Sequence, residues 1–157
     1  MNNIKFFRNL FLVLFTSPLF SQLSSDECLE QLSIFAESAK IKNYQAAYEP
    51  WKTVLNNCPK LSLATYQYGE IILKDFIKKS ESEEDKSKYL NDLLSLYDQW
   101  AENFPERKGV RQIGKIFSNK GQAMLDNGIK NKELIYDTFD YAFQNDPKSF
   151  TNPKSLA

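Results

Sequence analysis

Two thiols, one dense charged run and a few carboxylates are the residues of this chain with chemistry to offer. Cys28 and Cys58 are its only cysteines and stand 30 residues apart. That spacing is not the C-x-x-C of a redox-active pair, which leaves a structural disulfide or two buried thiols. The run from Ser80 to Lys88 carries Glu81, Glu83, Glu84 and Asp85 but lacks the ligand spacing and the glycine of a calcium loop. It reads as a solvated loop leading into an acidic helix start. Glu70 and Asp75 lie too far round one helix to form a carboxylate dyad. Not one histidine occurs in 157 residues, which removes imidazole acid-base catalysis, Ser-His and Cys-His nucleophile pairs, and the commonest zinc and iron sites. The five glycines form no phosphate-cradling loop. No catalytic residue, no metal site and no cofactor are expected.

The elements that hold these residues follow a signal. Lys5 and Arg8 precede a nearly all-apolar stretch from Asn9 to Phe20, with Leu10 to Phe15 unbroken, and small residues follow. A basic start, a short apolar centre and a small-residue exit make residues 1–21 a secretory signal peptide, cleaved after Ser21. The apolar centre is shorter than the ~20 residues a membrane span needs. The expected product is exported, periplasmic or envelope-associated, with no membrane span after cleavage. Twenty Lys and Arg balance twenty Asp and Glu, so no basic field draws nucleic acid. Apolar residues at 42% and charged residues at 25% mark a globular chain of about one domain by the ~150-residue prior.

Beyond the signal the periodicity is helical throughout. Leu29, Leu32, Phe35 and Ala36 recur at three- and four-residue spacing, as do Leu90, Leu93, Leu94 and Tyr97, and again Ile113, Ile116, Phe117 and Ala123. No stretch alternates long enough to predict a strand. Six helices are expected, capped at Ser24 or Ser25, with Glu27 completing a box from Ser24, at Asn43, at Ser62, at Ser80 or Ser82 and at Asn131. The fifth begins near Arg107 to Gly109 and ends at Asn127-Gly128. The chain is therefore all-α.

Three segments end alike. Trp51 precedes Asn57-Cys58-Pro59, Tyr97 precedes Asn103-Phe104-Pro105, and Phe139 precedes Asn145-Asp146-Pro147, each aromatic eight residues before its proline. Apolar residues repeat with them: Ala47, Leu93 and Ile135, then Val54, Trp100 and Ala142. The pattern resembles the tetratricopeptide repeat, W-x2-L-G-x2-Y…A-x3-F…P, which is a pair of antiparallel helices. Asn43 to Ala47, through Trp51 to Pro59, fits its second helix. Tyr68-Gly69 with Ile72, and Ile113-Gly114 with Phe117 and Gly121, fit its first. Spans of 46 and 42 residues between the prolines exceed the usual ~34, Phe35 stands where Gly is expected, and Pro50 should kink its helix.

The resemblance implies an α-solenoid of about three antiparallel helix pairs over residues 22–147, with repeats near 28–59, 62–105 and 107–147 and a tail at 148–157. The general look is similar to exported envelope proteins of this family. It implies a non-enzymatic interaction scaffold that binds a peptide or partner protein on the concave face of the first helices. An alternative is a spacer or assembly domain of a larger envelope or secretion complex; a carboxylate hydrolase is a distant third. The residues placed in the groove are Tyr66, Glu70, Leu73 and Lys74, then Arg111, Gln112, Lys115 and Asn119. Their basic excess in the third repeat favours an acidic or carboxylate-bearing ligand. With only residues 148–157 after Pro147, Phe117, Phe139 and Phe143 are expected to be poorly covered, leaving the third repeat as a surface for association. Cys28 and Cys58 are equidistant from the Asn43 turn, so in an antiparallel pair they meet at its open end as a disulfide.

Overall fold

The computed structural model describes residues 23–154. The signal peptide expected at 1–21, its expected cleavage point and the last three residues of the tail lie outside them. Six helices follow in order: α1 (Ser25–Lys40), α2 (Tyr44–Asn57), α3 (Leu63–Lys79), α4 (Glu83–Asn103), α5 (Ile113–Asp126) and α6 (Lys132–Asn145). They pack chiefly as α1 on α2, α3 on α4 and α5 on α6. Each pair is antiparallel, because contacts join the start of one helix to the end of the next. Cys28 meets Cys58, Tyr66 meets Trp100 while Phe76 meets Tyr89, and Gly114 meets Asp146 while Met124 meets Thr138.

The helix starts are set by short polar side chains that accept orphan backbone N–H groups. Ser24 and Glu27 form a reciprocal capping box, and Asn43, Ser62, Ser82 and Asn131 each accept from the first turn of their helix. α2 continues through Pro50 without interruption. α5 stops in a Schellman motif, in which Gly128 takes φ 69° and the N–H groups of Gly128 and Ile129 return to Leu125 and Met124. The same bonds end α1 at Lys42, a non-glycine residue held at φ 61°.

The repeated Asn-x-Pro endings have one physical cause. Asn57, Asn103 and Asn145 each donate Nδ2 to the carbonyl four residues back, at 2.8, 2.8 and 2.9 Å. The next residue, Cys58, Phe104 or Asp146, leaves the helix at φ between −138° and −157° and ψ between 52° and 73°, outside the α region that a following proline disfavours. Its own N–H still reaches Val54, Trp100 or Ala142.

The core is continuous from the first pair into the third. Phe35, Val54, Tyr66, Ile72, Leu93 and Tyr97 are all fully buried, and the cluster extends to Ile116 and Ala123 on α5. Trp51 locks α2 to α3: its Nε1–H donates to the Thr65 carbonyl at 2.8 Å, and its indole lies against Gly69, where a Cβ would come within 2.6 Å.

One element departs from expectation. Residues 107–109 do not start α5; they belong to a hairpin of β1 (Glu106–Arg107) and β2 (Val110–Arg111), paired Glu106 to Arg111 and Arg107 to Val110. Lys108 and Gly109 both take positive φ, 51° and 74°, as a two-residue type I′ turn requires. The helix therefore begins four residues after Gly109, at Ile113.

The tail also differs. Residues 147–149 form a turn, and the segment to Lys154 then runs along α5 as a strap outside regular secondary structure. Phe150 packs on Phe143 with ring centroids 5.4 Å apart. Phe117 and Phe139 are half-buried, Phe117 against Tyr141 and Phe139 against Gly121. Leu134, Tyr136, Tyr141 and Phe143 remain exposed on α6.

Candidate functional site

α3 and α5, the first helices of the second and third pairs, scarcely touch, since α4 separates them. A cleft of about 300 Å³ opens between them. Leu63, Gln67, Glu70 and Ile71 of α3 form one wall, and Lys115, Ile116 and Asn119 of α5 form the other. Trp100 and Phe104, from the end of α4, make the floor, while Glu106, Arg107 and Gln112 close one end. A second cavity of about 190 Å³ lies farther along the same two helices, between Lys74 of α3, Ser118, Gln122 and Asp126 of α5, and Thr151, Asn152 and Lys154 of the strap. Asn119 borders both.

Of the eight residues expected in a groove, Glu70, Gln112, Lys115 and Asn119 line the cleft together, and Lys74 lines the second cavity. Tyr66 and Leu73 do not: both are fully buried in the core. The Tyr66 hydroxyl donates to the Pro59 carbonyl at 3.0 Å, and its ring packs on Trp100 and Phe104. The reason is helical phase. The stripe on α3 that borders the two cavities runs Leu63, Gln67, Glu70, Lys74, and Tyr66 and Leu73 each precede a stripe member by one residue, about 100° round the helix. Arg111 sits exposed on the hairpin, near Asp146 rather than in the cleft.

Glu70 is held in place from two sides. Its Oε1 accepts from Lys74 Nζ at 2.6 Å and from the Tyr97 hydroxyl at 2.8 Å. Burial first, and then the charge of Glu70, raise the pKa of Tyr97, so the phenol stays protonated and keeps donating. The floor of the cleft is apolar, and the amides of Gln67 and Asn119 stand on its two walls. No side chain here is paired with a base that would make it a nucleophile. Among the described residues no group of three or more His, Cys, Asp or Glu is placed to hold a metal.

Sequence reasoning missed the floor. Trp100 and Phe104 occupy the repeated positions held elsewhere by Val54 and Ala142, and by Cys58 and Asp146, so their unusual bulk was the available signal.

The N-terminus of α5 is completed from outside the helix. Gln112 gives it no side-chain cap. Instead the Gly114 N–H donates to Asp146 Oδ2 at 3.3 Å and the Lys115 N–H to Ser149 Oγ at 3.1 Å, while the Ser149 hydroxyl also donates to Asp146. Burial pushes the Asp146 pKa up, but the bonds from Ser149 and Gly114, with Arg111 nearby, outweigh it and hold the carboxyl below its ordinary value.

Cys28 and Cys58 form a disulfide with Cα atoms 6.4 Å apart, within the range the bond demands. It ties the start of α1 to the end of α2. Among the described residues no helix is long and apolar enough to cross a membrane. No family of known proteins, no characterised protein and no solved structure matches the chain.

Proposed function

We propose that the chain is an exported, non-enzymatic scaffold of the bacterial cell envelope, built on tetratricopeptide-type helix pairs, that holds a peptide or partner protein in the α3/α5 cleft. The observation that carries this reading is the cleft itself, where Glu70, Gln112, Lys115 and Asn119 converge over an aromatic floor of Trp100 and Phe104. Grooves of this composition favour an extended segment with one apolar side chain on the floor and its backbone against the flanking amides. Export is supported by the signal pattern of residues 1–21 and by the disulfide, a bond of oxidising compartments. The absence of histidine and the engagement of Glu70 by Lys74 and Tyr97 argue against hydrolysis.

A role in assembly, with α6 meeting another element or subunit, is favoured by one separate feature, the exposed Leu134, Tyr136, Tyr141 and Phe143. Photo-crosslinking in cells tests the first reading against the second. A photoreactive residue at Ile71, in the cleft, is expected to give an adduct that Phe104→Ala diminishes, and one at Tyr136 is expected to give none. Adducts from Tyr136 alone would transfer the function to α6.

A further inference from the structure

The strap is bound to α5 in a way that any extended chain could imitate. The Thr151 N–H donates to Ser118 Oγ at 3.0 Å, and the Lys154 N–H donates to Gln122 Oε1 at 2.7 Å. Both bonds use backbone donors of the tail and side-chain acceptors of the helix, so neither depends on which residues the tail carries. The strap falls into two unequal parts. Its first part, Asp146 to Phe150, is anchored by the cap on Gly114 and Lys115 and by Phe150 against Phe143. Its second part, Thr151 to Lys154, is exposed at every residue and rests on those two hydrogen bonds. The second part also walls the cavity that shares Asn119 with the α3/α5 cleft, so a segment lying in the cleft and continuing along α5 meets it end-on.

We propose that Ser118 and Gln122 form a docking track for the backbone of an extended peptide, and that Thr151–Lys154 is an internal occupant which such a peptide displaces. The occupant is a non-helical, open segment, because the track pairs with main-chain N–H groups of a stretch outside any helix; a helix uses its own internally. Its side chains are polar here, since Lys74, Asn119 and Asp126 surround the track and Ala123 alone is apolar. The anchor stays seated while the distal part lifts, and the release is local because so little of it is buried. This inference rests on the cleft reading for the identity of the partner but not for the existence of the track.

The test uses the full chain, its Thr151→Pro and Lys154→Pro variants, each lacking one strap N–H, and an acetylated, amidated Thr-Asn-Pro-Lys peptide as probe. An internal strap competes at an effective concentration of about a millimolar or more. By NMR, the probe at roughly millimolar concentration is expected to move the Gln122 side-chain amide at least about fivefold more in the variants than in the native chain. Equal movement would overturn the proposal, and so would probe-induced movement of the neighbouring Asn119 side-chain amide that persists after Ser118→Ala with Gln122→Ala. Amide exchange in the native chain gives an independent reading. The Thr151 and Lys154 N–H groups should exchange at least about tenfold faster than that of Lys115, and equal protection would show a rigid strap with nothing to displace. Neither measurement involves Ile71. A cleft that captures nothing there, with a strap that exchanges as described, would count against the cleft reading and leave the track standing.

Discussion

Replacing Gly114 by alanine should destabilise the protein, although helix propensity alone predicts the opposite. Alanine exceeds glycine by up to ~1 kcal/mol inside a helix, and Gly114 lies in the first turn of α5 with ordinary helical geometry. The obstacle is the strap. A Cβ at position 114 would overlap the Asp146 carbonyl oxygen and stand 2.7 Å from the Phe150 nitrogen and 2.9 Å from Ser149 Oγ. Two of those atoms are backbone and cannot swing aside as a flexible side chain would. The strap must lift, and α5 then loses its caps from Asp146 and Ser149, about 1 kcal/mol each. Phe150 leaves Phe143, a contact worth roughly 1 kcal/mol, and the exposed bonds at Ser118 and Gln122 add about 0.5 kcal/mol or less each. Set against the propensity gain, the net loss is roughly 2–3 kcal/mol. At a urea slope of about 2 kcal/mol per molar, the unfolding midpoint should fall by about 1 M or more, and the Lys115 amide should lose exchange protection. A midpoint unchanged or raised would refute the view that the strap closes the start of α5.

Replacing both cysteines by serine should cost roughly 3–4 kcal/mol by loop-closure entropy and lower the thermal midpoint; a loss under ~1 kcal/mol would show that packing alone holds α1 to α2. Lys42→Gly should stabilise the chain by about 0.5–1 kcal/mol in urea unfolding, because glycine takes the left-handed conformation at the end of α1 without steric cost. Burial raises the pKa of Tyr48, Tyr66 and Tyr97, the first two to about 12. The phenols are therefore neutral in the folded chain at pH values where the unfolded chain has ionised them. The stability they contribute is fully present below about pH 10 and declines as pH rises from there toward 12; unfolding midpoints measured from pH 8 to 12 should show this, and Tyr97→Phe should soften the decline.

What was legible in the sequence was local. Ser24, Asn43, Ser62 and Asn131 announce helix starts because a cap and its target lie within three residues of each other, and the meeting of Cys28 with Cys58 follows from symmetry about a single turn. The cleft was half legible. Glu70 and Lys115 carry the polarity of a groove, but separating Gln67 from Tyr66 needs the rotation of α3 about its axis, which the packing of Tyr66 on Trp100 and Phe104 decides. The hairpin escaped because two-residue strands have no alternation to detect. The strap left no signal either, since its bonds join residues 32 to 34 positions apart and pair the backbone of one segment with side chains of the other.

The Asn-x-Pro endings have a consequence of another kind. The asparagine satisfies one helix carbonyl, the N–H of x satisfies another, and the proline fixes the direction of exit, so the side chain of x owes nothing to the helix that precedes it. The three pairs show three uses of that freedom. Cys58 makes a covalent bond, Phe104 becomes part of the floor of the α3/α5 cleft, and Asp146 completes another helix. A helix terminus of this design is an interchangeable socket, in which the specialised behaviour of each pair is written by one side chain while the architecture around it stays the same.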